Sequence, residues 1–458
     1  MRRALVLAAA LAVASGLNGL SKPPKRAPSK KAPQRVIEPV ALEEVVLPPV
    51  APSVHATALD CTFFETCAGC SVNDGFDKTP VSATHGWRTQ ARLAAAPLGK
   101  AALAARSRST NRKAWRSGVG LGLYRTGTHV VEPIARGCLV HAPQVEKAAV
   151  ALEDACAAAG IRGCFDDKFD DRAELRYAQF AVDGSTGKVT LTLVWNALGF
   201  REAAPQLGRL VSAVWDPEVF GSVWVNFRTG PGNAIFSFEP TRWLRLKGSE
   251  FSRERLFDLE QAAEAKQLGL DPNVELRFSP LVFRQANFKG FASLVLRLSR
   301  WVPDKADVCE LYCGVGTIGL ALRPKVSRLR CSESNGNAQK CFEASAKDQE
   351  TRLRRLAPAK FRAADAAEAI KADAGGATVI IVDPPRKGLD AEVLQALCDE
   401  TTCSSAQRLI YVSCGFDALE RDLATLLKTK WTLKHAEGHV LFPGSDHVET
   451  LAILDRKR

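Results

Sequence analysis

The chain lacks an apolar run at its start that could cross a bilayer. The candidate, Ala4 to Gly16, has thirteen residues, and a spanning helix needs about 20. No stable membrane association is expected. Acidic residues are missing before Glu38, while eight Lys and Arg fall between Arg2 and Arg35. No internal repeat of fixed period is present, which excludes a solenoid or propeller. A disulfide framework is missing too. Thirteen cysteines, an odd number, are spread over 458 residues, and most sit inside apparent strands and helices. That distribution suits a reducing compartment with a metal site. A large excess of charge is also absent from the body of the chain. The net charge is +12, and setting aside the eight N-terminal basic residues leaves about +4. Bulk charge therefore argues only weakly for a polyanionic partner, and motifs must carry the functional reading.

What is present divides into three parts. Met1-Arg2-Arg3, an apolar run and the small-residue end Ala12-Val13-Ala14-Ser15 read as a signal-peptide core. The basic, Pro-rich, acid-free stretch from Ser21 to Pro33 cannot bury a core. Residues 1–57 are expected to be a targeting and disordered segment directing import into an organelle. A plastid reached through the secretory route is favoured, with a mitochondrion as the alternative. Residues 58–280 are expected to hold a cysteine knuckle and a predominantly antiparallel, β-rich domain. Residues 281–458 are expected to form an α/β catalytic domain.

The knuckle is Cys61-Thr62-Phe63-Phe64-Glu65-Thr66-Cys67-Ala68-Gly69-Cys70. Three thiols this close can wrap zinc or an iron–sulfur cluster, and a fourth ligand is needed. Cys138, Cys156 and Cys164 are the candidates. Residues 86–143 read as basic and aromatic patches, including a run rich in Arg and Lys from Arg106 to Arg116. Such a run is usually a solvated loop, and it could hold phosphates. Val145 to Ala159 has helical character. Period-two patterning then predicts strands over Tyr177–Val182, Lys188–Trp195, Ser222–Arg228 and Ala234–Phe238, joined by Gly-rich turns.

After Pro280 the pattern alternates between strand and helix, which implies a parallel, helix-covered sheet. A helix is predicted over Phe291–Trp301. Asp307 to Leu320 reads as strand, glycine turn and helix. Gly314 and Gly316 would let a ligand approach the backbone at a helix N-terminus. Glu333 ends the next strand, 19 residues past Gly314, the spacing at which an acid binds ribose hydroxyls. The set fits a dinucleotide or S-adenosylmethionine. Thr378 to Val382 is a buried strand ending in Asp383-Pro384-Pro385-Arg386, whose prolines aim Asp383 at a cleft. Leu409 to Ser413 is another such strand, ending at Cys414-Gly415 before a helix. A helix N-terminus favours the thiolate, so Cys414 is a candidate nucleophile, with a buried core thiol as the alternative. Glu449 begins the last strand.

Taken together, these residues resemble the RNA 5-methyluridine (uracil-5) methyltransferase family. The match runs from about Cys61 to the C-terminus and is strongest from Pro280 to Leu454. The resemblance implies a class I, Rossmann-like, S-adenosylmethionine-dependent methyltransferase domain. The knuckle and Gly137-Cys138-Leu139-Val140-His141 look like the cluster region of rRNA-type members, which implies a 4Fe–4S cluster on Cys61, Cys67, Cys70 and Cys138. Phe283-Arg284-Gln285-Ala286-Asn287 looks like the family's F-x-Q-x-N element, implying that Gln285 contacts the cofactor. Tyr312, Glu333 and Asp383 match other cofactor positions, and Asp365 would sit near the adenine. Cys414 matches the nucleophile and Glu449 the base. Thr317 stands where the family has asparagine. Gly415-Phe416 replaces Asn-Pro and implies a looser turn after the nucleophile. The family's N-terminal RNA-binding barrel is not expected, because residues 1–60 are targeting-like, so the resemblance implies that residues 58–280 are the RNA-binding domain. The wording looks closer to plant and algal plastid members than to bacterial ones.

The chemistry needs these groups. Carbon 5 of uracil is a poor nucleophile. A thiolate adding to carbon 6 makes an enolate that can take a methyl group, and a base must then remove the carbon-5 proton. The target uridine must leave any stack. RNA 5-methylcytosine enzymes carry a cysteine in the segment that reads Asp383-Pro384-Pro385-Arg386 here. The substrate expected is rRNA, with tRNA as runner-up, acted on by a monomer. A non-catalytic RNA-binding factor on the same fold is the alternative from another class. A dinucleotide-dependent oxidoreductase would leave Asp383 and Cys414 unexplained.

Overall fold

The computed structural model describes residues 85–98, 118–125, 127–135, 137–165, 169–230, 234–443, 445 and 447–457. The targeting segment, Cys61, Cys67, Cys70 and the basic run Arg106 to Arg116 lie outside the described residues. Among the described residues, no helix is long and apolar enough to cross a membrane.

The middle of the chain builds a seven-stranded sheet. Its strands are β1 (Gln90–Pro97), β2 (Val119–Tyr124), β3 (Val131–Pro133), β4 (Leu175–Val182), β5 (Val189–Trp195), β6 (Phe220–Phe227) and β7 (Trp243–Gly248), in the order β3-β2-β1-β4-β5-β6-β7. Two helices, α1 (Pro143–Ala159) and α2 (Phe200–Val214), connect them. Leu93, Leu121, Phe180, Leu191 and Val223 share one buried core with Val145 and Leu152 of α1 and with Leu207 and Leu210 of α2. Alternation puts those residues on one sheet face.

The sheet is predominantly antiparallel, as expected, and α2 is the crossover that makes β5 and β6 parallel. Two expectations for this region are corrected. The patches near residues 86–143 contain β1 and β2. Ala234–Phe238 is not a strand. Its backbone is satisfied by a side chain instead: Asn226 Nδ2 donates to the Ser237 carbonyl at 3.0 Å, and Ser237 N–H donates to Asn226 Oδ1 at 2.9 Å.

A short hairpin, β8 (Ser252–Arg255) with β9 (Glu275–Phe278), encloses α3 (Leu259–Gln267) and leads to α4 (Phe288–Ser299). The α4 helix starts three residues earlier than the patterning predicts because Asn287 caps it, its Oδ1 accepting from Gly290 N–H at 2.9 Å.

The C-terminal sheet contains β10 (Asp307–Leu311), β11 (Arg328–Glu333), β12 (Ala359–Ala363), β13 (Val379–Val382), β14 (Arg408–Ser413), β15 (Trp431–His439) and β16 (Glu449–Arg456). Five strands are parallel, and β16 inserts antiparallel between β14 and β15, giving the order β12-β11-β10-β13-β14-β16-β15. The interleaved helices are α5 (Thr317–Leu322), α6 (Asn337–Arg352), α7 (Ala366–Asp373), α8 (Ala391–Cys398) and α9 (Phe416–Leu426). Val379 to Val382 are all buried, as a strand covered on both faces requires. The strand order reverses between β10 and β13, and such a crevice is where open α/β sheets bind ligands.

Candidate active site

The carboxyl ends of β10, β11, β13 and β14 bring the C-terminal candidates together. After β10 the chain turns sharply. Tyr312 takes a left-handed conformation, φ 59°, followed by Gly314 at 55° and Gly316 at 80°. A bulky residue in that region costs about 1–2 kcal/mol, so packing must hold it. The Tyr312 ring packs against the core, and its hydroxyl donates to Asp390 Oδ2 at 3.1 Å, just before α8. Gly316 is the N-cap of α5, and a Cβ there would sit 2.5 Å from the Phe342 ring. A Cβ on Gly314 would meet nothing within 4 Å. Gly314 therefore borders open space, as a ligand cradle requires.

Glu333 braces this turn. Its Oε2 accepts from Gly314 N–H at 3.2 Å, and its Oε1 accepts from Asn335 N–H at 2.8 Å. Asn335 in turn donates to the Leu281 carbonyl at 2.8 Å, which draws the segment carrying Gln285 to the same edge. Gln285 is half-buried, and Phe283 beside it is 65% exposed.

Asp383 follows β13, Cys414 follows β14, and Glu449 opens β16. Ser413 pairs directly with Thr450, so Cys414 and Glu449 are neighbours beyond that pair. Glu449 is buried, and burial followed by the Asp383 charge raises its carboxyl; Arg386 opposes this. Burial and then the Glu333 charge raise Asp383 as well. Cys414 is half-buried. Its thiol is pushed up to about 11 by burial, Glu449 and Asp383, with Arg386 pulling the other way. That corrects the expectation of a thiolate favoured by the helix N-terminus. Burial first, and the two carboxylates after it, keep the thiol protonated.

The turn after Cys414 is not loose. Gly415 has an ordinary negative φ of −129°, so left-handed freedom is not its purpose. A Cβ there would run into the carbonyl of Arg386. The Asp383-Pro384-Pro385-Arg386 segment thus lies directly on the turn after Cys414. Ser413 Oγ accepts from Gly415 N–H at 3.2 Å and locks it further.

Asp365 is exposed, and its Oδ1 accepts from Glu368 N–H at 2.8 Å, capping α7. Of the candidates for a fourth thiolate ligand, Cys156 and Cys164 are fully buried, whereas Cys138 is half-buried. Cys138 packs with Trp87, Val140, Ala286 and Phe442, next to the Gln285 segment.

Glu310 supports the glycine turn from beneath, and patterning missed it. It lies inside β10, fully buried, and accepts from Gly319 N–H at 2.9 Å and Cys331 Sγ at 3.3 Å. Burial pushes its carboxyl up to about 8. The available signal was an acid in an apolar strand four residues before Gly314. Glu333, Asp383 and Glu449 therefore gather acidic groups at one sheet edge, with Glu310 buried beneath the β10 turn. A cationic ligand such as a sulfonium with an α-amino group fits that balance, and the glycine turn fits its approach.

Fold and site together define a class I S-adenosylmethionine-dependent methyltransferase. The crystal structure of Pyrococcus abyssi tRNA (uracil-54, C5)-methyltransferase in complex with S-adenosyl-L-homocysteine has the same fold, with a TM-score of 0.60, 22% identity, and 82% of this chain and 78% of that chain covered. A family model described as tRNA (Uracil-5-)-methyltransferase matches residues 273–457. An uncharacterized RNA methyltransferase of Protochlamydia amoebophila is 31% identical over 424 residues, which cover 88% of this chain and 99% of that protein. One of Geobacter sulfurreducens is 27% identical over 347 residues, covering 74% of this chain and 62% of the relative. The chain belongs to the RNA methyltransferase family of that Protochlamydia amoebophila relative, and its C-terminal part matches the tRNA (Uracil-5-)-methyltransferase model.

Proposed function

We propose that the chain methylates carbon 5 of a uridine in organellar rRNA through a covalent bond between Cys414 and carbon 6. The observation that carries this reading is the grouping of Cys414, Asp383 and Glu449 at one sheet edge beside the glycine turn. S-adenosylmethionine, when bound, supplies an electrophilic methyl group and a positive charge. Gln285, Tyr312, Gly314, Gly316, Glu333, Asp383 and Asp365 are the residues that would hold it.

The chain's own groups do the rest. Cys414 must release its proton to solvent before it adds to carbon 6. Arg386 is the cation that favours this loss, and Asp383 and Glu449 oppose it while ionised. Addition moves the ring electrons to an enolate, so that carbon 5 can form the new bond to the methyl group. Glu449 then takes the proton from carbon 5. Its raised carboxyl suits it to hold that proton. Reformation of the ring double bond expels the Cys414 sulfur and closes the cycle.

The rRNA substrate is supported by the likeness of the knuckle to rRNA-type members. A tRNA substrate is the second reading, favoured by the description of the matching family model. Incubation with radiolabelled cofactor and separate organellar rRNA and tRNA pools tests the choice. Label in rRNA is expected, and label confined to tRNA would overturn it.

A 4Fe–4S cluster on Cys61, Cys67, Cys70 and Cys138 belongs to the same proposal. Cys138 is the fourth-ligand candidate not sealed in the core. Anaerobic purification should give a brown protein containing iron and sulfide; stoichiometric zinc without iron would refute the cluster. Import into a plastid rests on the composition of residues 1–57, and imaging of a tagged chain tests it.

A further inference from the structure

Arg284 stands between Phe283 and Gln285, yet it is 3% exposed where Phe283 is open to solvent. Its side chain runs away from the crevice into the hairpin β8–β9. The guanidinium Nη2 donates to Glu254 Oε2 on β8, and Nη1 donates to Ser252 Oγ at 3.3 Å. The rings of Phe278 and Phe288 lie 5.2 and 5.9 Å from it, within cation–π range. A buried guanidinium needs its acceptor, because removing one partner leaves an uncompensated charge. The peptide at Arg284 therefore has one home. Two residues on, the Ala286 carbonyl accepts from Thr89 N–H at 2.8 Å and from Thr89 Oγ1 at 3.2 Å. Gln285 is held between these two anchors.

Glu254 also touches the middle sheet. The turn between β4 and β5 packs on its carboxylate so closely that a Cβ on Gly184 would overlap Glu254 Oε1. Gly184 N–H donates to the Arg253 carbonyl at 2.8 Å, Arg253 N–H to Asp183 Oδ2 at 2.8 Å, and Ser185 Oγ to Glu275 Oε2 at 2.7 Å.

We infer that Arg284 and Glu254 are a positioning pair, which sets Gln285 against the cofactor and ties its placement to the Asp183–Gly187 turn of the middle sheet. This rests on the proposed role of Gln285 as a cofactor contact. A change at the middle-sheet turn is then felt at the cofactor, though the turn lies outside the crevice.

Calorimetric binding of S-adenosylhomocysteine to the full chain tests it. Gln285→Ala and Arg284→Ala should each weaken binding about tenfold, within the range of coupled neighbours. The double variant should bind no more weakly than Gln285→Ala alone. Arg284→Lys should recover part of the loss. Gly184→Ala should also weaken binding, with the KM for RNA unchanged. Additive losses in the double variant, or full affinity in Gly184→Ala, would overturn the positioning pair. Full affinity in Gln285→Ala would instead overturn the cofactor role of Gln285, and the pair with it. If Arg284→Ala does not fold, Arg284→Lys replaces it in the same cycle.

Discussion

The turn after β10 and the turn after β14 both end a buried parallel strand, and both contain glycine at the sheet edge. The first needs its glycines for conformation, with φ positive at Gly314 and Gly316. The second needs Gly415 for space, because the Arg386 carbonyl lies where a Cβ would be. The β10 turn leaves Gly314 facing open volume, which suits a ligand brought to the backbone. The β14 turn is closed by the Asp383 segment, which suits the proposed nucleophile, whose sulfur must be held in place. One turn is built to receive and the other to aim.

The largest expected effect falls on the aiming turn. Cys414→Ala should abolish methyl transfer while leaving S-adenosylhomocysteine affinity unchanged. Product formation at the wild-type rate would remove Cys414 from the mechanism. Glu449→Gln should lower kcat by roughly 10²–10⁴-fold, the usual worth of a positioned base. The Cys414–RNA adduct should then build up, and denaturing gels would detect it as a shifted band.

Glycine substitutions separate the two turns. Gly415→Ala must push against the Arg386 backbone, so kcat should fall about tenfold or more while cofactor affinity holds. Gly314→Ala has room but carries left-handed strain of about 1–2 kcal/mol. It should weaken cofactor binding and leave the thiol's alkylation rate unchanged. Equal effects of both variants on cofactor affinity would erase the distinction.

How far these turns could be read before the fold was known follows from what sets them. The apolar runs of β13 and β14, stopped by Asp-Pro-Pro and by Cys-Gly, and the glycine turn after β10 are local signals, and the parallel sheet follows from the alternation of strand and helix. The spacing of Glu333 from Gly314 is local as well. Gly415 was misread because its partner, Arg386, lies on another strand's exit. The raised thiol of Cys414 is non-local too, since it comes from burial and then from Glu449 and Asp383 on two further strands. In the middle sheet, β1 and β2 read Gln90-Ala91-Arg92-Leu93-Ala94-Ala95-Ala96-Pro97 and Val119-Gly120-Leu121-Gly122-Leu123-Tyr124. They are poor in β-branched residues, so propensity hid them. Their small side chains answer to close neighbours: a Cβ on Gly163 would strike the Ala95 backbone, and one on Gly122 the Glu132 carbonyl. Arg284 was passed over because its partner Glu254 sits on a separate hairpin.

The acids beneath the two turns differ in what they cost the ligand-free chain. Glu310, under the β10 turn, has its carboxyl raised from 4.5 to about 8. A raised carboxyl favours the folded state below its unfolded value and loses that advantage as pH rises through its folded value. Stability should therefore fall between about pH 4.5 and pH 8. Asp383 and Glu449 act in the same direction. Thermal unfolding across that range should show a falling midpoint, and Glu310→Gln should flatten it. A cationic analogue such as sinefungin should offset the fall more than neutral-sulfur S-adenosylhomocysteine. An unchanged slope in Glu310→Gln would show that the acids at the β14 turn dominate.

The smallest expected effect lies at the rim of the receiving turn. Asp365 spends one oxygen capping α7, which leaves the other for an adenine amino group. Asparagine caps a helix about as well as aspartate, whereas alanine forfeits about 1 kcal/mol. Asp365→Asn should then leave the unfolding midpoint almost unchanged and weaken S-adenosylhomocysteine binding only a few-fold. Asp365→Ala should lower both. If Asp365→Asn binds as tightly as the wild type while Asp365→Ala loses only stability, the residue is a helix cap alone. The receiving turn then ends at Glu333 rather than reaching β12.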